Sequence, residues 1–118
     1  MSSVNRVILV GNLGSAPEIK TFENGNSMAS FSLATSDRYK NAQGEMIQET
    51  EWHKIVLFGK KVELAEKYLD KGSKIYIEGK LKTRSWVDQD GNQRYATEIS
   101  VDQMTFLSTK QEAQAGII

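Results

Sequence analysis

Cysteine is absent from the sequence, which excludes disulfides, thiolate metal sites and cysteine nucleophiles. Histidine is nearly absent: His53 is the sole example, so neither a multi-histidine metal site nor a histidine dyad can form. A serine–histidine–acid triad would have to use that one ring. His53 shares the strand phase of Ile55 and Leu57, a face on which a structural or interface role is expected. Carboxylates are numerous, but no strand or helix spacing forces two of them to share a proton. Catalysis, a bound metal and a cofactor are therefore not expected. Proline is limited to Pro17. No apolar run is long enough to span a bilayer, and the opening Met1-Ser-Ser-Val-Asn-Arg6 lacks the basic start and apolar stretch of a secretory signal. A cytoplasmic protein with no membrane partner is expected. Net charge is missing too, because 15 Lys and Arg balance 15 Asp and Glu.

What is present describes one small soluble domain. The chain has 118 residues, 39% hydrophobic and 25% charged, enough for a single small core. The zero balance conceals a segregation. Arg38, Lys40, Lys54, Lys60, Lys61, Lys67, Lys71, Lys74, Lys80, Lys82 and Arg84 crowd the middle of the chain. A polyanion responds to a local basic groove more than to the total charge.

The most informative stretch is Thr50-Glu-Trp-His-Lys-Ile-Val-Leu-Phe-Gly-Lys-Lys61. Its β-branched and aromatic content over 52–58, ended by Gly59, predicts a strand. Alternation puts Trp52, Lys54, Val56 and Phe58 on one face and His53, Ile55 and Leu57 on the other. The second set is ordinary core. The first brackets a lysine with two large aromatics on a surface that should meet water. Aromatics that stack on bases, interleaved with cations that meet phosphates, are the chemistry of sequence-tolerant single-strand binding. The stretch 74–87 repeats the theme. Ile75, Ile77, Gly79 and Leu81 form its inward set; Lys74, Tyr76, Glu78, Lys80, Lys82, Arg84 and Trp86 form its outward set. Like charges in a row on one strand face repel, and an anionic partner would relieve them.

The remaining segments supply a frame. A first strand is expected over 4–10, stopped by a tight turn at Gly11-Asn-Leu-Gly14. A short extended piece over 18–22 leads to the hairpin signature Glu23-Asn-Gly-Asn26, and 28–35 alternates Ala29, Phe31 and Leu33 against Ser30 and Ser32. The polar stretch 36–49 lacks a period and reads as a long hairpin loop or ribbon tip, carrying the cation–aromatic–cation triplet Arg38-Tyr39-Lys40. Over 62–69 the period becomes helical, with Leu64, Ala65, Tyr68 and Leu69 on one face and Gly72 as a C-terminal cap. An Asp-Gly turn at 88–92 leads to a last strand over 94–107, where Tyr95, Thr97, Ile99 and Val101 fall out of phase with Met104 and Phe106. A bulge near Asp102-Gln103 would account for the slip.

The resulting fold class is mainly all-β: a five-stranded OB-fold barrel with one short helix after the third strand and long hairpin loops. The residues go further than the pattern. Val4-Asn-Arg-Val-Ile-Leu-Val-Gly-Asn-Leu-Gly14, Pro17-Glu18, Leu33-Ala-Thr-Ser36, Gly44-Glu-Met46, Thr50-Glu-Trp-His53, Tyr68-Leu69, Lys71-Gly-Ser73, Tyr76-Ile-Glu-Gly79 and Thr83-Arg-Ser-Trp86 closely resemble the bacterial single-stranded DNA-binding protein family, in unbroken order. The resemblance implies a single-stranded DNA-binding domain over 1–107 and a short polar tail over 108–118. It also implies a homotetramer that wraps single-stranded DNA without reading sequence during replication, recombination and repair. Base stacking in a charged OB groove is that family's own established mechanism. The family's stacking aromatics map onto Trp52, Phe58 and Trp86, and its groove cations onto Lys54, Lys60, Lys71, Lys82 and Arg84, with Arg6, Lys20 and Arg94 as weaker matches. His53 maps onto a histidine associated with subunit assembly.

Departures from the family pattern are specific. Tyr39-Lys40 stands where many relatives carry a tryptophan and a basic residue, and Asp70 and Ser85 stand where many carry cations. No Gly/Gln/Pro-rich linker or acidic tip follows Leu107. Either a shortened chain or a naturally tailless relative is expected, and recruitment of replication and repair proteins through such a tip is not implied. Cytoplasmic, nucleoid-associated action follows from the resemblance. A second reading is an OB-fold adaptor of the primosome acting mainly through protein contacts; the intact aromatic set speaks against it. A small hydrolase or nuclease has no residues to support it.

Overall fold

The computed structural model describes residues 2–108. The tail assigned to 108–118 therefore lies, apart from Ser108, outside the described residues. Six strands and one helix follow in the order β1 (Val7–Leu13), β2 (Glu18–Thr21), β3 (Ser27–Lys40), β4 (Met46–Phe58), α1 (Lys60–Tyr68), β5 (Lys74–Val87) and β6 (Gln93–Phe106). The hydrogen-bonded order is β1-β5-β6-β4-β3-β2, and a β1–β3 pairing closes five of the strands into a mixed barrel. This is the expected OB-fold. The helix follows the fourth strand because the short extended piece before the first Asn-Gly turn is itself paired, Glu18 with Ser30 through Thr21 with Ser27.

The barrel interior is filled by the alternating sets of the sequence. Ala29, Phe31 and Leu33 from β3, Ile55 and Leu57 from β4, and Ile75 and Ile77 from β5 are all buried. Each Leu or Ile fully withdrawn from water contributes roughly 1.5–3 kcal/mol before the entropy of ordering is subtracted. The β6 slip is resolved by a bulge: Glu78 pairs with Gln103 and Gly79 with Val101, which leaves Asp102 as the extra residue.

Four local expectations differ from the structure. β1 runs through the Gly11-Asn-Leu segment instead of turning there. Gly11 is needed because the strand crosses β3 so closely that a Cβ would lie 2.3 Å from the Ala34 carbonyl oxygen. The helix buries Val62, Ala65 and then Leu69, while Leu64 and Tyr68 are exposed, because the barrel meets the adjacent stripe of the helix. Leu69 caps that helix in an extended conformation, its N–H bonded to Ala65 O at 2.9 Å, and Gly72 serves the next turn instead. Leu81 keeps its inward phase but is 50% exposed, since β1 covers β5 only as far as Gly79.

Of the two alternatives for the polar stretch, long hairpin loop or ribbon tip, the structure has the ribbon. Only residues 41–45 are a turn; β3 and β4 pair continuously from Met28 with Phe58 to Lys40 with Met46. The turn is closed by Asn41, whose Oδ1 accepts from the N–H groups of Gln43 and Glu45 at 3.0 and 2.9 Å, and by Gly44 at φ +80°. Asp88 and Gly91 close the β5–β6 ribbon in the same way, Asp88 Oδ1 accepting from Asp90 and Asn92 N–H at 3.0 and 2.9 Å. Two ribbons thus project from the barrel, which stretches the molecule to 53 × 37 × 36 Å.

Candidate nucleic-acid interface

Residues paired across a sheet share a face, so the register places the sequence-predicted residues relative to one another. Across β2, β3 and β4 the rows are Lys20–Met28–Phe58, Glu18–Ser30–Val56, Ser32–Lys54 and Ala34–Trp52. The short parallel pairing of Val56 with Ser100 carries this face onto β6, and Ser100 pairs with Lys80 on β5. Two residues at a time, the next rows are Lys82–Glu98, Arg84–Ala96 and Trp86–Arg94. Trp52, Lys54, Phe58, Lys82, Arg84 and Trp86 therefore occupy one continuous outer face, although they come from strands far apart in sequence.

The aromatics on this face meet water. Trp52 is 59% exposed, Phe58 51% and Trp86 39%. Exposed apolar clusters of this kind mark interaction surfaces. A cleft of about 420 Å³ runs between the two halves of the face, lined by Lys20, Phe22, Met28, Val56 and Phe58 on one side and Lys82, Thr83, Arg84 and Glu98 on the other. A smaller cleft of about 180 Å³ continues past Ser30 and Ser32 to Lys54. The larger cleft has an apolar floor of Phe22, Met28, Val56 and Phe58 with Lys20, Lys82 and Arg84 at its rim, and carboxylates enter the two clefts at Glu98 and Glu18.

Trp52 is positioned by a glycine. Its ring lies over Gly14 so closely that a Cβ there would come within 2.4 Å of the indole. Gly14 follows β1 directly, and the neighbouring Leu13 is tied to the turn after the helix by Gly72 N–H to Leu13 O at 2.8 Å and Leu13 N–H to Ser73 O at 2.9 Å. Lys71 is thereby held at the Trp52 end of the face. Lys60 opens α1 immediately beyond Phe58 and Gly59.

The cations divide into paired and unpaired. Among the described residues the ion pairs are Arg6–Glu78, Arg84–Glu98 and Arg94–Asp88. Lys54, Lys60, Lys71 and Lys82 enter none of them. Arg94 Nε donates to Asp88 Oδ2 at 2.7 Å, and that bond, followed by the N–H groups of Asn92 and Asp90, holds the Asp88 carboxyl below the usual carboxylate range. Arg94 is thus engaged in closing its own turn. Arg6 lies further round the barrel wall, where Glu78 is lowered first by the Tyr76 hydroxyl and then, after an opposing burial effect, by Arg6. Arg84 bonds Glu98 and also lies 4.6 Å from the centroid of the Trp86 ring.

Tyr39 and Lys40 are separated by parity. Lys40 and Arg38 continue the row of Ala34 on the Trp52 face of the β3–β4 ribbon, whereas Tyr39 shares the opposite face with Asp37, Glu49 and Glu51. The Tyr39 hydroxyl donates to Glu49 at 3.0 Å, which raises the tyrosine pKa above its ordinary value. His53 lies at the root of that same rear face, its Nε2 2.9 Å from Thr35 Oγ1.

Sequence reasoning passed over Phe22, Met28 and Glu98, and gave Lys20 only a minor place. Phe22 and Met28 reach the cleft through the β2–β3–β4 register, for which no local pattern speaks. Glu98 had a readable signal: counting back from the Asp-Gly turn sets Lys82 opposite it.

The model of the single-strand binding protein family matches residues 4–107. A solved complex of Plasmodium falciparum SSB with single-stranded DNA is similar in fold, with a TM-score of 0.81 and 34% sequence identity over 92% of this chain and 98% of that one.

Proposed function

We propose that this chain, which belongs to the single-strand binding protein family, binds single-stranded DNA on its cation-rimmed aromatic face without reading sequence. The observation that carries the reading is the exposure of Trp52, Phe58 and Trp86 on one face, with Lys54 and Lys82 between them in no ion pair among the described residues. Bases stack on the rings, because every base has a π-face, and each such contact is worth roughly 1–3 kcal/mol. Phosphates meet Lys54, Lys60, Lys71 and Lys82, and cations released from the DNA make affinity fall with salt. Reading sequence takes hydrogen bonds to base edges, and ring stacking supplies none. Exposed rings interleaved with lysines favour a polyanion over the protein partner of an adaptor. The function is binding and protection of single strands in replication, recombination and repair, in the cytoplasm on nucleoid DNA, with no reaction catalysed. Residues 1–107 are the unit that does it.

Self-association, up to the homotetramer of the resemblance, belongs to the same proposal. β1 is paired along one side by β5, but its other side meets β3 only at Asn12 and Leu13. The open edge over residues 7–11 carries Ile8 and Val10, exposed beside Tyr76. An open apolar edge strand is a template for pairing, and a second copy of β1 satisfies it. His53 joins this proposal as the interface residue. Light scattering on the purified protein tests it: Ile8→Lys with Val10→Lys should lower the mass, and an unchanged mass would move the interface elsewhere.

The DNA reading is tested by titrating the protein with a thymidine oligonucleotide and with a duplex of equal length. Tight, salt-sensitive binding of the single strand alone supports it. Equal binding of both, or of neither, removes it.

A further inference from the structure

Glu98 is an unexpected residue to find in an anion-binding face. Its side chain is only 7% exposed, it lines the central cleft, and it stands directly opposite Lys82 in the β5–β6 register. Yet its partner is Arg84, one row further along, through the Arg84 Nε. Lys82 is left without an ion pair among the described residues. The same Arg84 guanidinium lies 4.6 Å from the Trp86 ring centroid. A guanidinium bonded through its edge keeps its flat face free, and that face is what an indole attracts.

We propose that Glu98 is a positioning residue that converts Arg84 from a phosphate contact into the fixed backing of Trp86. The proposal rests on the DNA reading above and assigns a division of labour within it. A buried carboxylate is tolerated only while it is paired, and removing its partner leaves an uncompensated charge. Handing Arg84 to a phosphate would strand Glu98 beside that phosphate, like charge against like charge. Arg84 therefore stays with Glu98 in the complex. It holds one side of the Trp86 ring, and the base takes the other. Lys82, freed of Glu98, makes the phosphate contact at this row.

Salt dependence separates the roles. Binding of oligothymidylate should lose a slope of about 0.7 in log–log salt plots when Lys82→Gln removes one phosphate contact. The double variant Arg84→Gln/Glu98→Gln should keep the unmodified slope and lose about 2- to 5-fold in affinity at every salt concentration, the cost of ordering on binding a ring that is no longer held beforehand. Glu98→Gln alone releases Arg84 to a phosphate and should steepen the slope by about 0.7. Arg84→Lys retains charge and fold but not the planar guanidinium that bonds Glu98 and meets the ring together, and should lose the same 2- to 5-fold as the double variant. The proposal is overturned if the double variant loses slope as Lys82→Gln does, or if Arg84→Lys binds like the unmodified protein. A readout without DNA keeps the two readings apart. Tryptophan emission of the free protein should shift in Glu98→Gln and not in Lys82→Gln. An unchanged emission in Glu98→Gln removes the positioning role by itself, whereas failure of the unmodified protein to bind DNA removes the reading beneath it.

Discussion

The two faces of the β3–β4 ribbon differ by strand parity alone, and they carry opposite charge. The face continuous with Trp52 presents Arg38 and Lys40; the rear face presents Asp37, Glu49 and Glu51, with Asp37 directly opposite Glu49. Like charges paired across strands are unfavourable, so the rear face tolerates a repulsion that the front face avoids. A single strand of DNA approaching the ribbon meets attraction on one side and repulsion on the other. A chain of zero net charge can therefore favour a polyanion, because alternation sorts its charges onto different surfaces.

The largest effect that would break this contrast is loss of the rings on the front. Trp52→Ala and Trp86→Ala should each weaken binding of oligothymidylate by roughly 1–3 kcal/mol, about 5- to 150-fold, while the barrel stays folded because neither ring belongs to its buried core. Fluorescence anisotropy and calorimetry measure the two quantities; wild-type affinity in both variants would mean that DNA lies elsewhere. Charge substitution sharpens the contrast directly. Arg38→Gln with Lys40→Gln should reduce the salt slope by about 0.7 for each of the two cations that meets a phosphate. Asp37→Asn with Glu49→Gln should leave the slope alone and raise stability by about 0.2–1 kcal/mol through relief of the opposed pair. Equal slopes in the two double variants would erase the distinction between faces.

A smaller effect comes from beneath Trp52. Gly14→Ala puts a methyl where the ring lies, and should cost on the order of 1 kcal/mol of binding, part of what Trp52→Ala costs, without unfolding the barrel. The smallest concerns Tyr39. Its ring sits on the acidic face and its hydroxyl is engaged by Glu49. Only a strand that has crossed the ribbon edge would meet it. Tyr39→Ala should leave binding of an oligomer of about 8 nucleotides intact and weaken a several-fold longer one by less than about 1 kcal/mol. A loss on the short oligomer would bring Tyr39 into the front groove.

Much of this was readable in the chain, and the boundary is physical. Where one strand face is buried, polarity alternates, so Ala29, Phe31 and Leu33, and likewise Trp52 against Ile55, declared their sides. The phase slip in the last strand announced the bulge at Asp102 for the same reason. The ribbon was legible only as one of two alternatives: both of its faces meet water, so residues 36–49 have no apolar period that would decide between a loop and paired strands. Leu81 failed in the opposite sense, keeping the phase of the core beyond the reach of β1. In the helix, Leu64 and Tyr68 were as apolar as Val62, and which stripe is buried depends on where the barrel lies. The aromatics of the interface were legible one strand at a time. That Phe22 and Met28 share a cleft with Lys82 and Arg84 required the long-range register.

The most direct measurement is tryptophan fluorescence during titration with oligothymidylate, against a duplex of equal length, at low and moderate salt. With both tryptophans on the binding face, the single strand alone should quench the emission strongly, and added salt should weaken that binding. Absence of quenching by the single strand, or equal quenching by the duplex, would contradict the assignment of this face to single-stranded DNA.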